Sequence, residues 1–216
     1  LNLPSPTALE TAYTLSLDTP DRMRHAAIHH ANRPLLKLKL ADADDLARVA
    51  AVREGAPLAR LIVDANEGWD TERYLTLVPE LAALGVTMIE QPFPAGKDDV
   101  LADLPRPIPV CADESCHDSQ SLTALVGRYD MINIKLDKTG GLTEALRLRQ
   151  YAQEQGLKIM VGCMVSTSLS MAPAFVVAQG AAVVDLDGPL LLQRDRTNGL
   201  HYNGSEILPP DALLWG

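Results

Sequence analysis

Short apolar, β-branched runs recur along the chain, each followed by a stretch with helical spacing. Eight of these runs, at 11–17, 35–40, 58–66, 86–91, 108–114, 131–136, 158–163 and 183–187, read as strands. Between the first two, 20–31 reads as a helix, with Thr19 as its N-cap and Pro20 in its first turn. Residues 43–55 set Leu46, Val49, Ala50 and Arg53 at i, i+3, i+4 and i+7, one face of a helix. The segments 71–84, 119–126, 142–155 and 166–179 each run into a glycine (Gly85, Gly127, Gly156, Gly180), the residue favoured where a helix ends left-handed. Residues 98–104 form the shortest helical segment.

Strand then helix, seven times with a closing strand, predicts parallel pairing and closure into a (β/α)7β TIM-like barrel over 11–190. An open doubly wound sheet is the competing arrangement, but no Gly-rich dinucleotide loop follows the first strand. Residues 1–10, rich in proline, are expected to be a linker from a domain outside the chain. Residues 191–216 are expected to form a C-terminal tail that packs back towards that domain.

Composition narrows the function classes. At 47% apolar and 4% aromatic residues, the core of this 216-residue chain must be aliphatic. A net charge of −9 with no basic stripe argues against a nucleic-acid partner. The most apolar segment, 171–184, is interrupted by Pro173, Gln179 and Gly180, so no membrane span of about 20 residues is expected. Cys111, Cys116 and Cys163 lack zinc-type spacing, and with no signal peptide in view they point to a reducing, cytoplasmic setting.

The candidate chemistry lies at the strand ends. Asp64, Glu90 and Asp113 close three consecutive apolar runs. One such acid is explained by a helix cap or a solvated loop. Three on neighbouring strands would repel one another unless a cation lay between them, and an oxygen-only set without histidine suits Mg²⁺ better than zinc. The segment Leu36-Lys37-Leu38-Lys39-Leu40 alternates, so both lysines share a face opposite the leucines. In a helix-covered barrel that face is the interior, where the lysines either pair with the acids or act as bases with a pKa lowered by burial. Lys135 reaches the same cavity from another wall, whereas Lys138 is expected to be solvated or loop-structural.

These residues carry a resemblance. Thr11-Ala12-Tyr13-Thr14, Lys37-x-Lys39, Asp64-Ala65-Asn66-Glu67-Gly68-Trp69, Glu90-Gln91-Pro92, Ala112-Asp113-Glu114-Ser115, Ile132-Asn133-Ile134-Lys135 with Gly140-Gly141, and Asp185-Leu186-Asp187-Gly188-Pro189 follow in order along the chain. In this the chain resembles the barrel domain of the enolase superfamily, in its muconate-lactonising subgroup, and most of all dipeptide epimerases of the L-Ala-D/L-Glu type. The resemblance implies one Mg²⁺ held by Asp64, Glu90 and Asp113, with Lys39 and Lys135 as the two acid/base residues. Lys37 would hold the substrate carboxylate and keep Lys39 less basic. Thr14, Cys163, Met164 and Val165 would line the substrate pocket, and Asp185 and Asp187 would receive the dipeptide's ammonium group. Taken alone, those two acids could equally cap a loop.

The implied reaction is a 1,1-proton transfer at the α-carbon of the dipeptide's C-terminal residue, through an enediolate. The alternatives are o-succinylbenzoate synthase, N-succinylamino-acid racemase or cycloisomerase activity, or a non-catalytic barrel fragment. Two departures stand out: Val165 follows Met164 where many relatives have a glutamate, and the family's N-terminal α+β capping domain has no counterpart here. That domain is the expected partner over the cavity mouth, and homo-oligomers are compatible with the resemblance.

Overall fold

After a two-residue strand β1 (Leu9–Glu10), eight strands pair in parallel and in chain order: β2 (Tyr13–Leu15), β3 (Leu35–Lys39), β4 (Arg60–Asp64), β5 (Val86–Glu90), β6 (Val110–Ala112), β7 (Met131–Ile134), β8 (Lys158–Val161) and β9 (Val183–Val184). The ends of this sheet meet. Ala12 N donates to Val184 O at 2.8 Å, and Leu186 N donates to Thr11 Oγ1 at 2.9 Å, which closes the barrel. This computed structural model describes residues 5–215, so the first four residues of the expected linker lie outside it.

Six helices fall where the periodicity puts them, with shifted ends: α1 (Pro20–His29), α2 (Asp45–Gly55), α3 (Thr71–Ala83), the single turn α4 (Leu122–Leu125), α6 (Leu142–Glu154) and α7 (Ser168–Val177); a second single turn, α5 (Leu136–Thr139), was not expected. Residues 98–104 give only a 3₁₀ turn, Asp99–Ala102. Helix α2 buries the stripe expected from its sequence only in part: Val49 is buried and Leu46 packs against the core, while Ala50 and Arg53 are half-buried. Its inward residues are Asp45, Arg48, Val49 and Val52, because its first turn carries a buried ion network. Asp45 accepts from Ala41 N (2.9 Å), Arg48 Nη1 (3.1 Å), Trp69 Nε1 (3.0 Å) and Arg73 Nη2 (3.0 Å), and so ties down the loop that follows β3.

Strands β6 and β9 stop well short of the runs 108–114 and 183–187. Beyond them lie Asp113-Glu114 and Asp185-Leu186-Asp187, of which Asp113, Asp185, Leu186 and Asp187 are buried. Two further strands, β10 (Tyr202–Asn203) and β11 (Glu206–Ile207), pair with β1 in a small antiparallel sheet that two-residue patterns could not announce. In the segment expected to pack towards another domain, Leu200, Ile207 and Leu214 join the core that lies between barrel and helices. Among the described residues no helix is long and apolar enough to cross a membrane.

The barrel interior is layered. Ala12, Leu35, Ile62, Met88, Cys111, Met131, Met160 and Val183 form one apolar cluster, with one residue from each strand or its immediate start. Side chains alternate with period two along a strand. Two residues on, the same eight positions carry Thr14, Lys37, Asp64, Glu90, Asp113, Asn133, Gly162 and Asp185. An apolar floor therefore underlies a polar tier at the C-terminal end, where barrels of this architecture keep their chemistry.

Candidate active site at the C-terminal end of the barrel

Of the residues singled out in the sequence, all but Asp64 and Glu90 line one cavity of about 330 Å³. Those two acids lie in its floor, fully buried. Lys39 stands at the end of β3 and Lys135 just beyond β7. These strands are four apart in a ring of eight, so the two amines sit on opposite walls. Asp64, Glu90 and Asp113 close or follow β4, β5 and β6, the three strands between them.

The polar tier is tightly paired. Lys37 Nζ lies 3.2 Å from Asp64 Oδ2, 2.7 Å from Glu90 Oε2 and 2.8 Å from Asp185 Oδ2. Lys39 Nζ lies 2.6 Å from Asp64 Oδ2, and Lys135 Nζ donates to Asp113 Oδ2 at 2.5 Å. Asn66 N donates to Asp64 Oδ1 at 3.0 Å, from a loop that turns back through left-handed Asn66 (φ 44°) and Glu67 (φ 63°). On the far wall, Asp187 Oδ2 accepts from Thr14 N at 2.6 Å. Met164 and Val165 are exposed at the rim.

Of the two expectations for Lys138, solvated or loop-structural, the structure bears out the second. The side chain is not solvated: its Nζ donates to Asp113 Oδ1 and to the Asp113 carbonyl, both at 2.5 Å, and to Asn133 O at 3.0 Å. Its spacing of three from Lys135 puts both on one side of the single turn α5, which was the signal available. Asn133 was missed. Its Nδ2 donates to Glu90 Oε1 at 2.6 Å, and it stands two residues before Lys135 on the same strand face. Gly162 leaves room for it, since a Cβ there would meet Asn133 Oδ1 at 2.6 Å.

The electrostatics follow from this pairing. Burial and the neighbouring Asp64 carboxylate push Glu90 up to about 7. Burial also works to raise Asp113 and Asp64, but is outweighed by Lys138 and Lys135 at the first and by Lys37 and Lys39 at the second, so both stay below the usual carboxylate range. Burial and Asp185 push Asp187 up to about 6. The expectation of an amine made less basic by burial is not met in this arrangement. Burial lowers Lys37 and Lys135, but the carboxylates around them more than reverse it, and both end above the ordinary lysine value.

As they stand, no three His, Cys, Asp or Glu side chains among the described residues converge closely enough to hold a metal ion. The reason is visible: lysine ammonium groups fill the space between the acids. The donor set nonetheless fits a hard dication. All three acids offer oxygen, Glu90 Oε2 has no aligned hydrogen-bond donor despite its ion contact, and the Lys37 ammonium already occupies a cation position among carboxylates.

Residues 22–212 match the model of the enolase C-terminal domain-like family. The chain belongs to that family. Among its enolase-type relatives, an N-acetyl-D-glutamate racemase from Pseudoalteromonas is 49% identical over 95% of the chain. The L-Ala-D/L-Glu epimerase of Escherichia coli is 45% identical over 94%. An enolase family member from Agrobacterium tumefaciens with homology to dipeptide epimerases, solved with sodium and L-Ala-L-Glu, superposes with a TM-score of 0.97 at 54% identity over 99% of the chain. The chain spans 65%, 64% and 65% of the length of these three proteins. Membership in that family accounts for the barrel.

Proposed function

We propose that the chain carries the acid/base site of an Mg²⁺-dependent isomerase that inverts the α-carbon of an amino-acid derivative, with L-Ala-D/L-Glu-type dipeptides as the favoured substrates. The observation that carries this reading is the placement of Lys39 and Lys135 on opposite walls of one cavity, with three acids on the strands between. Inversion needs a proton removed from one face of a carbon and returned to the other, and two amines on two walls meet that need.

Asp64, Glu90 and Asp113 would hold the Mg²⁺, one per site. When bound, it supplies Lewis-acid stabilisation for the negative charge that develops on the substrate carboxylate. Lys39 and Lys135 each exchange a proton with the α-carbon from their own side, one as base and the other as acid, with roles reversed for the other epimer. Lys37 fixes the carboxylate end of the substrate, and Asp185 and Asp187 receive the ammonium group of the first residue. Thr14, Cys163, Met164 and Val165 shape the pocket. The exposed apolar side chains of Met164, Val165 and Leu191 at the rim support a capping segment over the mouth in the working enzyme.

A second reading, racemisation of an N-acylated amino acid, is favoured by the likeness to an N-acetyl-D-glutamate racemase. The two part at Asp185 and Asp187, because an N-acyl substrate offers no ammonium. Incubating the intact protein with Mg²⁺ in deuterated water, with L-Ala-L-Glu or N-acetyl-glutamate, and following deuterium uptake at the α-carbon by mass spectrometry decides between them. Uptake in neither substrate, nor in a wider dipeptide set, would sink the proposal.

A further inference from the structure

We infer that Gln91 is a positioning residue that sets Asp113 relative to Glu90, and thereby the affinity of the site for a divalent cation. The inference rests on the metal reading above. Gln91 directly follows β5, is fully buried, and holds a left-handed backbone with φ of 33°, a conformation costly for a residue with a Cβ. That strain aims its amide out of the barrel axis and into the arch that follows β6. There Oε1 accepts from Asp113 N at 2.8 Å and from Ser115 N at 3.2 Å. Nε2, with two protons to give, shares them among three acceptors: Phe93 O at 2.8 Å, Ser115 Oγ at 2.9 Å and Tyr129 OH at 3.0 Å.

The amide cannot be turned round. Ser115 Oγ and Tyr129 OH both give their protons to Asp98 Oδ2, at 2.5 and 2.6 Å, so they meet Gln91 only as acceptors. Nε2 must face them, and Oε1 must face the two backbone N–H groups. Buried networks in which every member is satisfied hold one geometry and lose it when a member is removed. Because Gln91 adjoins Glu90 in sequence and grips Asp113 through its N–H, one side chain locks the two acids to each other.

The test is Mn²⁺ binding to the intact protein by titration calorimetry, with the melting temperature measured alongside. Gln91→Met, which removes both halves of the amide, is expected to weaken Mn²⁺ by about tenfold or more, the range typical for groups that orient metal ligands. If Gln91→Met does not fold, Gln91→Asn, one methylene too short to reach the arch, takes its place with the same expectation. Arg149→Ala, which loses hydrogen bonds to Val177 O and Gln179 O outside the Gln91 network, serves as the structural control: it lowers the melting temperature while leaving Mn²⁺ affinity within about threefold. Unchanged affinity in folded Gln91→Met, or in Gln91→Asn where that stands in, overturns the inference alone. A wild type that binds no Mn²⁺ overturns the metal reading and this inference with it.

Discussion

Lys138 Nζ sits 2.5 Å from both the carboxylate Oδ1 and the backbone carbonyl of Asp113, so one ammonium group holds the acid at its side chain and its main chain together. Replacing it by alanine releases Oδ1 and leaves the carboxylate held by Lys135 at Oδ2 alone. Lys138→Ala is expected to lower turnover by about tenfold or more, and Lys138→Arg, which keeps the charge and the reach, to recover most of it. Steady-state kinetics on the variants checks this, and wild-type turnover in Lys138→Ala would refute it.

The opposed amines give the sharpest expectation. Lys39→Ala and Lys135→Ala should each lose about 10²- to 10⁴-fold in epimerisation, the usual worth of a positioned acid/base group. Polarimetry or chiral chromatography in both directions measures it. Either variant turning over normally both ways rules out the two-base scheme.

Gly162 faces Asn133 across the polar tier, and an added methyl would lie 2.6 Å from Oδ1 and 2.8 Å from Nδ2. Gly162→Ala therefore has to displace the amide that donates to Glu90. A cost of about 1–3 kcal/mol is expected from the overpacking, read from urea unfolding. A variant as stable as wild type would show that Asn133 can move freely.

At the start of α7, Asp195 accepts from Ser168 N at 3.0 Å and from the Ser168 hydroxyl. Burial works to raise its pKa, but the Ser168 hydrogen bonds outweigh it and the net shift is downward. A carboxylate depressed in the folded state contributes stability above its unfolded pKa and loses it as the pH falls through the folded one. Asp195→Ala is thus expected to cost about 1 kcal/mol at neutral pH and less in acid, by denaturation at several pH values. A cost independent of pH would count against this account.

Most of the architecture is legible in the chain because two periods coincide. Alternation within each strand sets Lys37 with Lys39, and the strand-helix repeat sets Asp64, Glu90 and Asp113 on neighbouring strands. What escaped was whatever depends on contacts across the ring. Lys138 reads as a loop residue until the turn of α5 folds it back on Asp113. Gln91 reads as the residue after a ligand until the arch beyond β6 closes over its amide. The shifted face of α2 depends on Arg73 and Trp69 arriving from a later segment. The raised basicity of Lys37 and Lys135 follows from which partners burial leaves them, and no spacing encodes that.

The eight apolar side chains beneath the polar tier make the chamber blind-ended. Whatever arrives through the open end must depart by the same door. Under the proposed reaction both epimers contend for that single threshold, and each shuts the other out while it occupies the chamber.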